Sequence, residues 1–330
     1  MSPPKANVAH SAGSVQYDFR HGPVADACGN WVAQTNLPQT CGKDHVMKIG
    51  NAPCSWGVFY PTGNALTAEG YLDAVAQAGY RVTELGPLGF LGEDPDWIAA
   101  ALQSRGLELA ASAHVHTLAD AASGPALTAA LHRQGRLLQA LGARDLILMD
   151  ESEAYPETAQ GVVDEAGWQV AMDMIRAAEM QLRAYDIRLH VHPHVGTCIE
   201  REAQIDRMLA ETGVSLCFDT GHHAFWDQDV LAYMERVWDR IGFVHLKNVN
   251  PKVRARVLAG ELGVNASFNH GVMAPLYDGA VDIGAVMQML VARGYDGYCV
   301  VEQDPSEDAN LTPDILARRN LDALLPMLGG

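Results

Sequence analysis

In the second half of the chain, two short apolar runs each end abruptly in a residue that can bind a metal ion or move a proton. Residues 214–218 run into Asp219, and residues 241–244 run into His245. The same pattern recurs in IRLHVHPH, which carries His192 and His194, and in GYCVVEQD, which reaches Glu302. Carboxylates and imidazoles gathered in one place suit a divalent cation such as Mn2+, Co2+ or Zn2+, whereas an all-oxygen set favours Mg2+. The same groups serve as general acids and bases near neutral pH. An unbroken apolar run is what a buried parallel strand looks like. A polar residue at its end is delivered to the carboxyl-end mouth of an α/β sheet, where ligands bind.

The elements that must position these groups form an unbroken β/α alternation from residue 48 onward. Strands are expected at 48–51, 81–85, 107–112, 145–149, 187–191, 214–218, 241–244 and 297–301. Helices are expected between them: Thr67 caps one with Gly79 at its far end, and the longest spans about 162–184 on a helical apolar stripe. Eight such units predict a single-domain α/β protein, a (β/α)8 TIM barrel over residues 47–330. A doubly wound open sheet is the alternative, but the first βα loop, APCSWG, lacks the glycine pattern of a dinucleotide fold. Residues 1–46 have no sustained periodicity and read as an N-terminal extension; His10, His21 and His45 within it are expected to be surface groups. Residues 250–279, after the seventh strand, read as a long irregular lid.

The last residues of the eight strands are Glu84, His114, His116, Asp150, Glu151, His192, His194, Asp219, His222, His245 and Glu302. A barrel brings strand ends together, so these groups converge although they are far apart in sequence. Each has a structural role to compete with, since an Asp at a strand end also caps helices and a buried His also packs. His192 and His194 are two apart on one strand and face the same way, one as ligand and one as substrate contact. His190 shares that parity but lies deeper, which suits packing. Glu84 and His116 are expected to face the substrate, and Trp56 and Trp226 to wall a sugar ring. Lys247, Lys252, Arg254 and Arg256 form the one basic cluster near the mouth, from which Lys247 is the expected contact to a substrate oxygen.

Composition narrows the partners. A formal charge of −17 over 330 residues disfavours nucleic acid, whose binding relies on clustered Lys and Arg. A small neutral polyol or sugar fits better. No apolar stretch approaches the roughly 18 residues that span a membrane, the N-terminus carries no secretory h-region, and the six cysteines are scattered without CxxC spacing. A cytoplasmic protein with reduced thiols is the expectation.

Six stretches in order resemble the xylose isomerase-like TIM barrel superfamily of sugar isomerases, epimerases and dehydratases. They are NAPCSWGVF at 51–59, ELGPLGFL at 84–91, HPHVGTCIE at 192–200, DTGH at 219–222, HLKN at 245–248 and VEQD at 301–304. The likeness is greatest to the inosose (2-keto-myo-inositol) dehydratase branch. It implies that Asp219, His245 and Glu302 bind the metal and that His222 contacts the substrate. Where ketose epimerases of the superfamily place a Glu after strand five, this chain has His192, in keeping with the dehydratase branch. Glu151 from strand four is then expected to complete the metal shell, and Asn248 stands where the dehydratase pattern usually has Asp. The implied activity is a lyase reaction on a keto-polyol or keto-sugar such as inosose, with Mn2+ or Co2+ and an enediolate. Glu302 or His192 acts as base, and His222 or His194 as acid. Sugar isomerisation or 3-epimerisation, and elimination from 3-keto-glycosides, remain alternatives. An endonuclease of the same barrel type and a catalytically silent sugar-binding barrel are further ones. Barrels of this family often pair, so a homodimer is expected from the resemblance.

Overall fold

The computed structural model describes residues 47–151, 163–306 and 311–328. The proposed N-terminal extension, with His10, His21 and His45, lies outside the described residues. Nine parallel strands form one sheet in the order β3-β2-β1-β11-β8-β7-β6-β5-β4. These are β1 (Lys48–Asn51), β2 (Val82–Thr83), β3 (Glu108–Leu109), β4 (Ser112–His116), β5 (Asp145–Asp150), β6 (Arg188–Val191), β7 (Ser215–Asp219), β8 (Ile241–Leu246) and β11 (Tyr298–Val301). The two edge strands, β3 and β4, are separated by two residues only. Across that break Ala110 N–H donates to Thr83 O at 2.9 Å and Leu85 N–H to Ala111 O at 3.0 Å, while β4 pairs with β5. One interrupted strand therefore joins both edges, and the sheet closes as an eight-stranded barrel.

Alternation along each strand sorts side chains into two layers. Ala52, Val82, Ile147, Cys217, Phe243 and Val300 pack together inside the barrel. Their neighbours Leu146, Leu148, Leu216, Phe218, Val244 and Val301 belong to the larger core under the helices. Full burial on both faces is why these strands read as continuous apolar runs. Helix ends follow local signals: the Thr67 side chain accepts from Gly70 N–H to start α1 (Ala68–Ala78), and Gly79 ends it at φ 103°.

Two expectations needed correction. The third strand was expected to end before His114 and His116, yet both lie inside β4. They share the parity of Ser112, whose hydroxyl is bonded by Gln134 of α3 (Gly124–Leu141) at 2.8 Å, so they face the helix layer. Residues 250–279, expected to be irregular, contain α8 (Pro251–Leu258) and α9 (Val264–Asn269). They also contain β10 (Met273–Ala274), paired antiparallel with β9 (Asn248–Val249). Asn250 caps α8 by accepting from Lys252 and Val253 N–H, with Pro251 at its first turn. The cap and proline were visible in the sequence, but the low apolar content of the helix concealed it. Among the described residues, no helix is long and apolar enough to cross a membrane.

Candidate metal centre and active site

At the carboxyl ends of four adjacent strands the inward parity that carries Cys217, Phe243 and Val300 continues into Asp219, His245 and Glu302. His192 follows directly after β6 and extends the ladder through His192 N–H to Leu148 O at 2.9 Å. His192, Asp219, His245 and Glu302 bring one donor atom each within 4.8 Å of one another. His192 Nε2 lies 4.0 Å from Asp219 Oδ2, and His245 Nδ1 lies 3.3 Å from Glu302 Oε1. Asp219 holds two roles at once. Its Oδ1 accepts from His222 N–H at 2.7 Å and caps α6 (Thr220–Phe225), while its buried Oδ2 has no hydrogen-bond partner.

His192 Nδ1 and His245 Nδ1 are likewise buried without a hydrogen bond. Each such atom costs about 1–3 kcal/mol if nothing meets it, and these three belong to residues whose donor atoms converge within 4.8 Å, which calls for a shared occupant. Two imidazoles and two carboxylates are a donor set that fits a divalent transition metal. His245 is aimed by its other nitrogen, Nε2, which lies 2.9 Å from Glu84 Oε1. That carboxylate–histidine pairing fixes the orientation of the ring.

The DTGH motif supplies the next layer. Thr220 Oγ1 donates to Lys247 O at 2.6 Å and accepts from Lys247 N–H at 3.0 Å, clamping the end of β8 against α6. Gly221 leaves room for the lysine stem, since a Cβ there would stand 2.7 Å from Lys247 Cγ. The Lys247 ammonium is thereby buried at 2 % exposure. Glu302 Oε2 at 2.9 Å and Asp304 Oδ2 at 3.0 Å accept from it, and His222 Nε2 lies 3.1 Å away. Val195 N–H reaches His222 Nδ1 at 3.3 Å, and the His194 ring lies 3.8 Å from that of His222.

These contacts set the charge states. Burial pushes the Asp219 carboxyl up to about 6, aided by the adjacent Glu302 and opposed by Lys247 and His245. Burial opposes ionisation of Glu302 as well, but His245 and Lys247 outweigh it and hold that carboxyl well below the usual range. Lys247 stays cationic against burial because Asp304, Glu302 and Asp219 surround it. Burial, reinforced by neighbouring cationic groups, lowers His192, His222 and His194, the last to about 4, so all three are neutral at pH 7.

Other expected site residues are placed elsewhere. Glu151, expected as a metal ligand, is exposed and outside the four-donor group. Its backbone N–H continues the β5 ladder to His116 O at 2.8 Å. The neighbouring Asp150 is the buried one, and its two oxygens accept from Leu118 and Cys198 N–H. His116 does not face the mouth: its Nε2 lies 3.1 Å from Ser123 O and its ring stacks on His114.

Trp56 and Trp226 are buried with their indole N–H groups bonded to Asn51 and Glu200, and Arg201 covers the Trp226 face at 3.9 Å. Both rings therefore serve packing rather than an open wall. Of the basic cluster only Lys247 enters the site. Arg254 donates to Ala224 O at 2.9 Å, and Lys252 and Arg256 are exposed. Asn248 does not stand in for a missing carboxylate beside the four-donor group. Its Nδ2 donates to Leu276 O and Val281 O, and its Oδ1 accepts from Val281 N–H, a pattern only an amide satisfies.

Two residues that sequence reasoning missed complete the mouth. Asp304 shares the parity of Glu302 two residues earlier in VEQD, a signal that was available. Phe268 of α9 lies parallel to the His194 ring at 6.3 Å, 7° between planes, and also meets His222 and Phe225. Nothing local in SerPheAsnHisGly marks it, because only the folding of residues 250–279 carries it there.

A model of the xylose isomerase-like TIM barrel family matches residues 72–324. The chain belongs to that family. Within it, inosose dehydratase of Salmonella typhimurium (strain LT2) is 29 % identical over 298 residues, covering 84 % of this chain and 96 % of that protein. Among solved structures, that of an L-ribulose 3-epimerase superposes with TM-score 0.66 at 18 % identity, over 86 % of this chain and 95 % of that one. An IOLI protein solved with a bound zinc atom superposes with TM-score 0.65 at 13 % identity, over 86 % and 98 %. Both structures share the barrel of this xylose isomerase-like chain.

Proposed function

We propose that the protein is a divalent-metal-dependent dehydratase acting on a small neutral keto-polyol such as inosose. The observation that carries this reading is the convergence of one donor atom each from His192, Asp219, His245 and Glu302 within 4.8 Å, beside the Glu302–Lys247 ion pair in one barrel mouth. The name borne by the Salmonella typhimurium relative supports the substrate class, and the zinc atom of the IOLI structure supports a divalent ion. His192, Asp219, His245 and Glu302 would hold the ion, with Mn2+ or Co2+ suited to the mixed nitrogen and oxygen set. Bound there, it would supply Lewis-acid polarisation of the ketone oxygen.

The remaining steps belong to side chains. Glu302, kept anionic by His245 and Lys247, accepts the proton from the carbon beside the ketone. Lys247 touches both Glu302 Oε2 at 2.9 Å and His222 Nε2 at 3.1 Å. The proton accepted at Glu302 then leaves with the β-hydroxyl as water, while Lys247 holds Glu302 and His222 side by side at the reacting carbons. Uptake and release balance, and the site returns to its starting protonation. His194 Nδ1 lies 2.8 Å from Val195 O, which makes it the donor nitrogen and leaves Nε2 as an acceptor for a substrate hydroxyl. Phe268 presents an apolar face beside it.

Epimerisation through two carboxylate bases finds less support, because the donor group contains His192 where a second carboxylate would be needed. The test is incubation of metal-stripped and Mn2+-loaded protein with inososes, 3-keto-glycosides and ketohexoses, with products read by NMR. Ion-dependent appearance of an unsaturated product from inosose is expected. An epimer formed without loss of water, or equal turnover in stripped protein, would overturn the reading.

A further inference from the structure

Below the four-donor group the same two imidazoles belong to a second one. His192, Cys217 and His245 also place one donor atom each within 4.8 Å of one another. On β7, Cys217 and Asp219 are two residues apart and both point into the barrel, a step of roughly 6.6 Å along the strand at about 3.3 Å per residue. His192 and His245 sit between these levels and can serve either. We propose that the barrel holds a second, deeper cation position of two imidazoles and the Cys217 thiolate, selective for thiophilic ions such as Cd2+, and that it excludes the upper one.

Three observations support this. Cys217, His192 and His245 are 0 %, 3 % and 1 % exposed, so any ion among them is shielded from water. The Nδ1 atoms of both histidines are buried without a hydrogen-bond partner. Bonds of about 2.0–2.3 Å to nitrogen and sulfur put tetrahedral ligands roughly 3.3–3.8 Å apart, and the three donor atoms already lie within 4.8 Å of one another. Ligand softness then decides occupancy: the oxygens of Asp219 and Glu302 draw hard ions up, and the sulfur draws soft ions down, the thiol proton leaving to solvent as the metal–sulfur bond forms. Because His192 and His245 cannot serve both, a soft ion below removes half the donors from above. Phe243, Ile147 and Val300 close the space underneath, so an ion at this level goes no further.

This inference rests on reading the mouth as a metal site, and its test separates the two. The full-length chain, stripped with chelator, is titrated with Cd2+ alone while the ultraviolet thiolate-to-cadmium charge-transfer band is followed. Mn2+ binding is measured separately by electron paramagnetic resonance. A band saturating at one Cd2+ per chain is expected, lost in Cys217→Ser and kept in Asp219→Asn, which itself no longer binds Mn2+. Cadmium loading should also shut Mn2+ out of the wild-type protein. A band that survives in Cys217→Ser, for example from the half-buried Cys54, or no saturable band at all, would overturn the proposal. Should Cys217→Ser fail to fold, the cadmium NMR shift of the wild-type complex decides, sulfur ligation supporting the deeper position and nitrogen–oxygen ligation refuting it. A wild-type chain that shows the cadmium band yet binds no Mn2+ would sink the metal-dependent dehydratase and leave the deeper position standing.

Discussion

His190 on β6 and His192 just beyond its end, two residues apart and facing the same way, have opposite surroundings. At the floor of the barrel His190 has both nitrogens engaged, Nε2 with Asp145 Oδ1 at 2.7 Å and Nδ1 with Ser215 Oγ at 2.8 Å. Asp145 is gripped again by Arg188 through two bonds of 2.8 Å. Gly242 makes the space, since a Cβ there would stand 2.5 Å from His190 Cε1. At the mouth, His192 Nδ1 has no partner and Nε2 stops 4.0 Å from Asp219. Residue type does not separate these two, and neither does burial. Satisfaction does: a closed polar network stabilises the fold, whereas unsatisfied atoms on residues that converge mark a place built for something else.

Substitutions at the two levels should therefore fail in different ways. The largest effect is expected from Asp219→Asn. The amide oxygen still caps α6, but the metal-facing carboxylate oxygen is gone, so activity should fall by more than about 100-fold with little loss of thermal stability. Metal content by elemental analysis and Tm measured together check this; a large Tm loss with metal retained would erase the contrast. Glu84→Gln should lower metal affinity by roughly 10–100-fold by releasing the His245 ring, as read by a competitive chelator titration.

At the floor, Asp145→Asn should cost about 1–3 kcal/mol of stability and leave metal affinity intact. Its pH dependence has a definite sign. Burial pushes the Asp145 carboxyl up, but the bonds from His190 and Arg188 outweigh it and set it below its ordinary value. A folded-state pKa lowered in this way contributes stability above the unfolded value of about 3.9, and the contribution disappears as pH falls through the folded value. The Tm gap between wild type and Asp145→Asn should therefore be widest near neutral pH and close in acid; a gap that widens on acidification would contradict the network. The smallest effect belongs to Lys252→Ala, an exposed residue of the same basic cluster as Lys247. It should change stability by no more than about 0.5 kcal/mol and leave KM for inosose unaltered.

Much of this was legible before any coordinates. Unbroken apolar runs ending in Asp219, His245 and Glu302 announced both the parallel barrel and three of the four donors, because a parallel barrel gathers the groups that end its strands at one mouth. His192 followed from parity with His194. The misplacements share one cause. Glu151 and His116 stand at strand ends by position, but pairing register decides which face a strand-end residue takes, and a shift by one residue exchanges inside for outside. Trp56 and Trp226 sit near the mouth in sequence, yet they spend their N–H groups and ring faces on Asn51, Glu200 and Arg201.

What the amino-acid order determined by itself is the set of local alternatives: where strands run, which residues end them, and which caps and glycines start and stop the helices. These follow from short-range sterics and from periods of two and 3.6 residues. Only the tertiary structure decided that Oδ1 of Asp219 caps a helix while Oδ2 is left open. It also gave the Lys247 ammonium two carboxylate partners, and it brought Phe268 from a distant helix against His194. Those outcomes depend on how strands far apart in sequence come into register when the barrel closes, and no window of neighbouring residues contains that information.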